Sequence, residues 1–147
     1  MIYNIHHLHC GSFCPVCAPM FGQKGWKAHL VCHCLLVETD RGLVLIDTGL
    51  GTQDYLHTQQ RLGSLLTKFG AIVPDIHLSA FHQIQRLGYS LDDVKHIFVS
   101  HLDFDHAGGI SDFPNATVHV LASEFNATQS LSLKGKNRYK TEQFKYH

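Results

Sequence analysis

Four side chains able to donate nitrogen or oxygen to a metal ion stand close together in this chain: His101, Asp103, Asp105 and His106. They lie in Ser100-His101-Leu102-Asp103-Phe104-Asp105-His106-Ala107-Gly108-Gly109, directly after the strand-like run Val94-Lys95-His96-Ile97-Phe98-Val99. In an extended segment, side chains two apart point the same way. His101 and Asp103 can therefore meet at one point, while the neighbours Asp105 and His106 diverge and can serve a second. A hydrolytic centre with two ions roughly 3.5–4 Å apart, sharing an activated water, needs such an arrangement. The glycines that follow let the backbone turn tightly beneath the ligands. The bland alternative is a solvated acidic loop with two incidental histidines. The apolar strand ahead of it and the His-x-Asp-x-Asp-His order weigh against that alternative.

His101-Leu102-Asp103-Phe104-Asp105-His106 resembles the metal signature of the metallo-β-lactamase superfamily, His-x-His-x-Asp-His, with Asp103 in place of the middle histidine. Leu43-Val44-Leu45-Ile46-Asp47-Thr48-Gly49 is similar to that superfamily's upstream strand ending in Asp-Thr-Gly. The opening, His6-His7-Leu8-His9-Cys10-Gly11 through Cys14-Pro15, resembles the start of its lactonase-like members. The likeness implies an α/β fold, the αβ/βα sandwich, of which this chain would supply the first αβ half. It implies a metal-dependent hydrolase acting on an ester-like bond of a small molecule, a lactone foremost, through a metal-activated water. The implied ligands are His101, Asp103, Asp105 and His106, with Asp105 also the catalytic group that accepts and passes on a proton. Asp47 falls in the outer shell, holding a ligand histidine, or else simply fixes the turn at a strand end. Two divalent ions are implied, zinc first. Asp103 makes the first site harder and more anionic, which brings manganese or iron forward.

The likeness stops well short of a whole family member. Members have two similar halves, and the second supplies a further histidine, an aspartate bridging both ions and a last histidine. After His106 only His119 and His147 remain, and Asp112 is the last aspartate. His119 lies in the strand-like Thr117-Val118-His119-Val120-Leu121, which suits a sheet residue better than a ligand. Residues 1–147 are therefore expected to form one domain of this kind, incomplete at its C-terminus, and the gene product is expected to be longer. The alternative is a catalytically incomplete half-domain that serves as a metal-binding or interaction module. In either case the sheet face without helices needs a cover, so the isolated chain is expected to bury it in a homodimer.

Composition narrows the class. Hydrophobic content of 44% against 16% charged excludes a disordered chain. No apolar run approaches the ~20 residues of a membrane span, and the N-terminus lacks the pattern of an export signal, so no membrane partner and a cytoplasmic location are expected. Five cysteines, an odd number, fit reduced thiols. Cys32 and Cys34 alternate along one strand and share a face. Cys10, Cys14 and Cys17, near His6, His7 and His9, could form a small zinc module, with a loop of free thiols as the simpler reading. Net charge is zero, but residues 134–147 carry +4, with Tyr139, Phe144 and Tyr146 interleaved. A solvated linker or helix is favoured there over a nucleic-acid contact, and no nucleic-acid partner is expected.

The elements that must position the metal loop read as alternating strands and helices. Ile2–His9 is a strand, 11–27 a loop, His29–Glu38 a buried strand, and Asp40-Arg41-Gly42 a turn into Leu43–Asp47. Leu62, Leu65, Leu66 and Phe69 recur at helical spacing before Gly70. A second helix follows near Leu78–Leu87, with Phe81 and Ile84 inward and Gly88 as its stop. Val118–Leu121 is a strand, and Ser123 is expected to cap a helix running to about Gln129.

Overall fold

The computed structural model describes residues 1–16, 18–129 and 138–144, apart from the side chain of Leu65. Five strands form one sheet in the order β1 (Ile2–Phe13), β2 (Leu30–Thr39), β3 (Gly42–Ile46), β4 (Val94–Phe98) and β5 (Thr117–His119). β1, β2 and β3 pair antiparallel; β3, β4 and β5 pair parallel. The expected β2–β3 hairpin is present, turned at Asp40-Arg41-Gly42, where Gly42 adopts φ 111°. The first strand runs four residues beyond the expected end, because Ser12 and Phe13 pair with Val31 and Leu30 past a bulge that follows His9.

Between β3 and β4 the chain makes the crossover that parallel pairing demands. It does so through α1 (Thr52–Leu56), α2 (Thr58–Leu62), α3 (Ser64–Phe69) and α4 (Ala80–Arg86). The helix expected over 62–69 is broken: Gly63, at φ 87°, separates α2 from α3, and the apolar spacing continues across the break. Leu62 is buried, whereas Phe69 is exposed at the far end. α4 is capped by Ser79, whose hydroxyl accepts from the His82 N–H, and Gly88 follows it at φ 89°. Two further short helices follow, α5 (Phe104–Ala107) and α6 (Ala122–Thr128). The residue capping α6 is Leu121, not Ser123, and it offers no side-chain hydrogen bond.

One sheet face carries the core. Leu8, Cys34, Leu36, Leu45 and Ile97 point into it, and Leu50, Leu62, Ile84, Ile110 and Phe113 close over them. Cys10, Cys32 and Cys34 behave as small apolar groups inside this core. Burial pushes the Cys32 thiol well above its usual range. The opposite face carries Leu35, Ile46, Phe98 and His119 in one row across the register, with Ile46 and Phe98 exposed. His119 is stacked on the Phe98 ring, 4.3 Å between centroids, and its Nε2 lies 3.1 Å from His96 Nδ1. It sits in the sheet, as the strand pattern around it predicts.

Candidate metal centre

Parallel pairing of β3 with β4 sets the site. Ile46 lies opposite Phe98, so the residues that leave the C-terminal ends of the two strands emerge side by side. In open α/β sheets, that edge is where binding sites form. Asp47 leaves β3 at φ 53°, a left-handed conformation that aspartate tolerates better than most residues. Gly49 follows at φ 65°, and an added Cβ there would lie 2.3 Å from the Cys10 carbonyl oxygen. Thr48 ties this turn to the metal loop. Its N–H and its hydroxyl both donate to the His106 carbonyl at 2.8 Å, and its Oγ1 accepts from the Gly109 N–H.

The Asp47 carboxylate organises both histidines. His106 Nδ1 is 2.9 Å from Asp47 Oδ2. Ser100 binds the same carboxylate through its N–H and hydroxyl, and its Oγ is 2.9 Å from His101 Nδ1. With the Ser100 proton given to Asp47, Oγ accepts from His101 Nδ1–H, and His106 Nδ1–H donates to Asp47 directly. Both rings are then in the tautomer whose Nε2 carries a lone pair. Burial pushes the Asp47 carboxyl up, but the hydrogen bonds from His106 and Ser100 outweigh it and hold it below the usual carboxylate range. The Asp47 hydrogen bond raises His106 above the ordinary histidine value, partly opposed by burial.

The freed Nε2 atoms each face a carboxylate. His101 Nε2 is 3.4 Å from Asp103 Oδ2, and His106 Nε2 is 3.7 Å from Asp105 Oδ2. Two ligands on one tetrahedral ion, with bonds of about 2.0–2.1 Å, stand about 3.4 Å apart. The four donors thus form two facing pairs, each fit to supply part of one ion's shell. No group of three or more His, Cys, Asp or Glu side chains closes around a single point among the described residues. The described donors fit part of a divalent-metal site and do not close one by themselves.

The described cysteines of the N-terminal loop carry free thiols, the simpler of the two readings. Cys10 is buried in the core, and Cys14 Sγ lies 3.6 Å from His29 Nδ1. His6 pairs with Glu38, His7 with His33, and His9 with Ser12. Cys17 and His147 lie outside the described residues, as does half of the basic 134–147 stretch. Arg138 of that stretch is described, and it reaches Asp103: its Nε donates to Oδ1 at 2.5 Å. An apolar hollow of about 290 Å³ borders Asp105, walled by Phe13, Phe21, Leu30 and Phe104. Sequence reasoning gave no role to Ser100 or Arg138. Ser100 could have been found as the hydroxyl beside the first ligand; nothing local marks Arg138.

Residues 29–143 match the family model of the metallo-beta-lactamase superfamily, and the chain belongs to that superfamily. A Mycobacterium tuberculosis protein named "Probable metallo-hydrolase" is 42% identical over 145 residues, which is 96% of this chain and 42% of that protein. An N-acyl homoserine lactonase of Bacillus thuringiensis is 33% identical over 105 residues, 70% of this chain and 41% of the lactonase. A solved N-acyl homoserine lactone hydrolase, with N-hexanoyl-L-homoserine at its catalytic metal centre, superposes with a TM-score of 0.72. At 26% identity that superposition covers 97% of this chain and 56% of the hydrolase. The chain therefore spans about two fifths of the length of these curated relatives, and it corresponds to the N-terminal half of the fold.

Proposed function

We propose that this chain supplies half of the active centre of a metal-dependent hydrolase that opens lactones. The observation that carries the reading is the pair of facing donors, each with its histidine Nε2 freed by the Asp47–Ser100 network. His101 and Asp103 would hold one ion, and Asp105 and His106 the other. Bound there, two divalent ions would supply Lewis acidity and a nucleophile from water near neutral pH. Asp47 and Ser100 keep both rings in the binding tautomer. Asp105, the more outward carboxylate, accepts the proton released on attack and passes it to the leaving alkoxide. The hollow walled by Phe13, Leu30 and Phe104 gives an apolar substrate a seat beside Asp105. The likeness to N-acyl homoserine lactonases supports a lactone over other ester-like substrates. Zinc leads among the metals, with the hard Asp103 donor favouring manganese or iron more than a histidine would.

The rest of the reading concerns surroundings. The four described cysteines carry free thiols, which supports a reducing, cytoplasmic setting. No helix among the described residues is long and apolar enough to cross a membrane. The 147-residue chain on its own is proposed to pair through the open sheet face. The test of the central reading is hydrolysis of N-acyl homoserine lactones by the full-length product, followed by proton release. Turnover that a chelator abolishes and zinc or manganese restores is expected. Chelator-resistant turnover, or none with any lactone, overturns the reading.

A further inference from the structure

Asp103 replaces a neutral imidazole of the family pattern with a negative charge, and the fold answers that charge at one point. Arg138 Nε donates to Asp103 Oδ1 at 2.5 Å, while Asp103 Oδ2 faces His101 Nε2 at 3.4 Å. The carboxylate is thus divided, one oxygen held from behind and the other turned toward the histidine. Asp47 and Ser100 treat the two imidazoles in the same way, holding Nδ1 and leaving Nε2. We infer that Arg138 is the positioning residue of Asp103, aiming one carboxylate oxygen at the first ion and offsetting the charge that a histidine would not have brought. The inference rests on the metal-centre reading above.

Placement of Arg138 is built into the backbone. Its neighbour Tyr139 forms an antiparallel bridge with Asp103, which fixes the register of this segment against the metal loop. Tyr139 is buried, and the Arg138 guanidinium lies over its ring, 4.9 Å from the centroid. Arg138 Nη2 also approaches Glu124 Oε1 at 3.6 Å, and that oxygen accepts from the Leu102 N–H inside the metal loop. Five residues beyond Arg138, Gln143 is fully buried and donates to Asp54. The arginine therefore arrives on an anchored segment, and its planar fork suits a carboxylate held in one orientation.

The experiment is a cobalt(II) titration of the full-length protein, read by calorimetry and by the visible ligand-field band. Arg138→Met is expected to weaken one of two sites about 10–100-fold and shift its band, as loss of an outer partner of a ligand does. Arg138→Lys keeps the charge without the fork and should recover part of that loss. The double variant Asp103→His with Arg138→Met should bind cobalt better than Arg138→Met alone, since an imidazole needs no cation behind it. Circular dichroism of each variant confirms that it is folded. Titration of Arg138→Met indistinguishable from wild type reduces the pair to a surface clasp and overturns the inference. Tighter binding makes Arg138 a competitor of the metal and overturns it equally. A wild-type protein that takes up no cobalt would sink the metal-centre reading as well, so the two failures are distinguishable.

Discussion

Asp47 carries more of the site than any other single residue. It is nearly buried, it sits at φ 53°, and it accepts from Ser100 and His106 at once. Strain of this kind persists where surrounding bonds over-determine it, and such positions gather at functional sites. Asp47→Asn retains the shape but loses one acceptor, freeing the Ser100 hydroxyl and with it the His101 ring. Zinc affinity of the full-length protein, measured by competition with a chromophoric chelator, should fall about 10–100-fold. Ser100→Ala should lower it less, because His106 keeps its direct bond. Equal zinc affinity in Asp47→Asn and wild type would show that the network does not orient the ligands. The ligand candidates were legible because their types and spacing are local. Ser100 was harder to see, since its role depends on a carboxylate 53 residues away. Arg138 was invisible, because its contact with Asp103 is set by a backbone bridge that no periodicity announces.

At the scale of elements, the metal loop is fastened to the crossover helices. An added Cβ at Gly108 would lie 2.3 Å from Asp54 Oδ2 and 2.6 Å from the Gly49 carbonyl. Asp54 is itself pinned by the Arg61 Nε, the Gly51 N–H and Gln143. Gly108→Ala must therefore displace a buried carboxylate, and a loss of about 3 kcal/mol in urea unfolding is expected. A change below about 0.5 kcal/mol, the size of an ordinary surface substitution, would contradict that account of the loop.

Asp112 adds a pH dependence. Its carboxylate accepts from the Thr52 N–H and hydroxyl, tying the end of the loop to the start of α1. Burial pushes its pKa up to about 6, partly opposed by those bonds. A carboxyl raised above its unfolded value binds its proton more tightly when folded. Its contribution thus favours the folded state below about 6 and is lost as pH rises from about 4 through about 6. Asp112→Asn should flatten the fall in unfolding midpoint between pH 4 and 6.5, relative to wild type; an unchanged slope would rule the group out. Strands β2 to β4 were readable as apolar runs bounded by turns. Apolar spacing makes one helix of 62–69, because it records which side faces the core, not whether Gly63 keeps a helical φ.

At the scale of the molecule, a sheet covered on one side explains the exposed row at Ile46 and Phe98. Leu36, Leu45 and Ile97 on the covered side are fully buried. An apolar sheet face left open invites association. Sedimentation velocity of the 147-residue chain should show a dimer, and Ile46→Asp with Phe98→Asp should yield monomers that remain folded. A folded wild-type monomer at tens of micromolar would remove the proposed pairing. The two-layer half was legible from the alternation of strands and helices. Which face stays open followed only from the register, where a one-residue shift exchanges the two faces.

The most direct measurement is the metal content of the purified full-length protein, determined by inductively coupled plasma mass spectrometry on wild type and Asp105→Ala. Two divalent ions per chain in wild type, with at least one lost in the variant, is the predicted result. A folded wild type with no bound divalent ion, or a variant that keeps the full complement, would contradict the assignment of His101, Asp103, Asp105 and His106 to a two-ion centre.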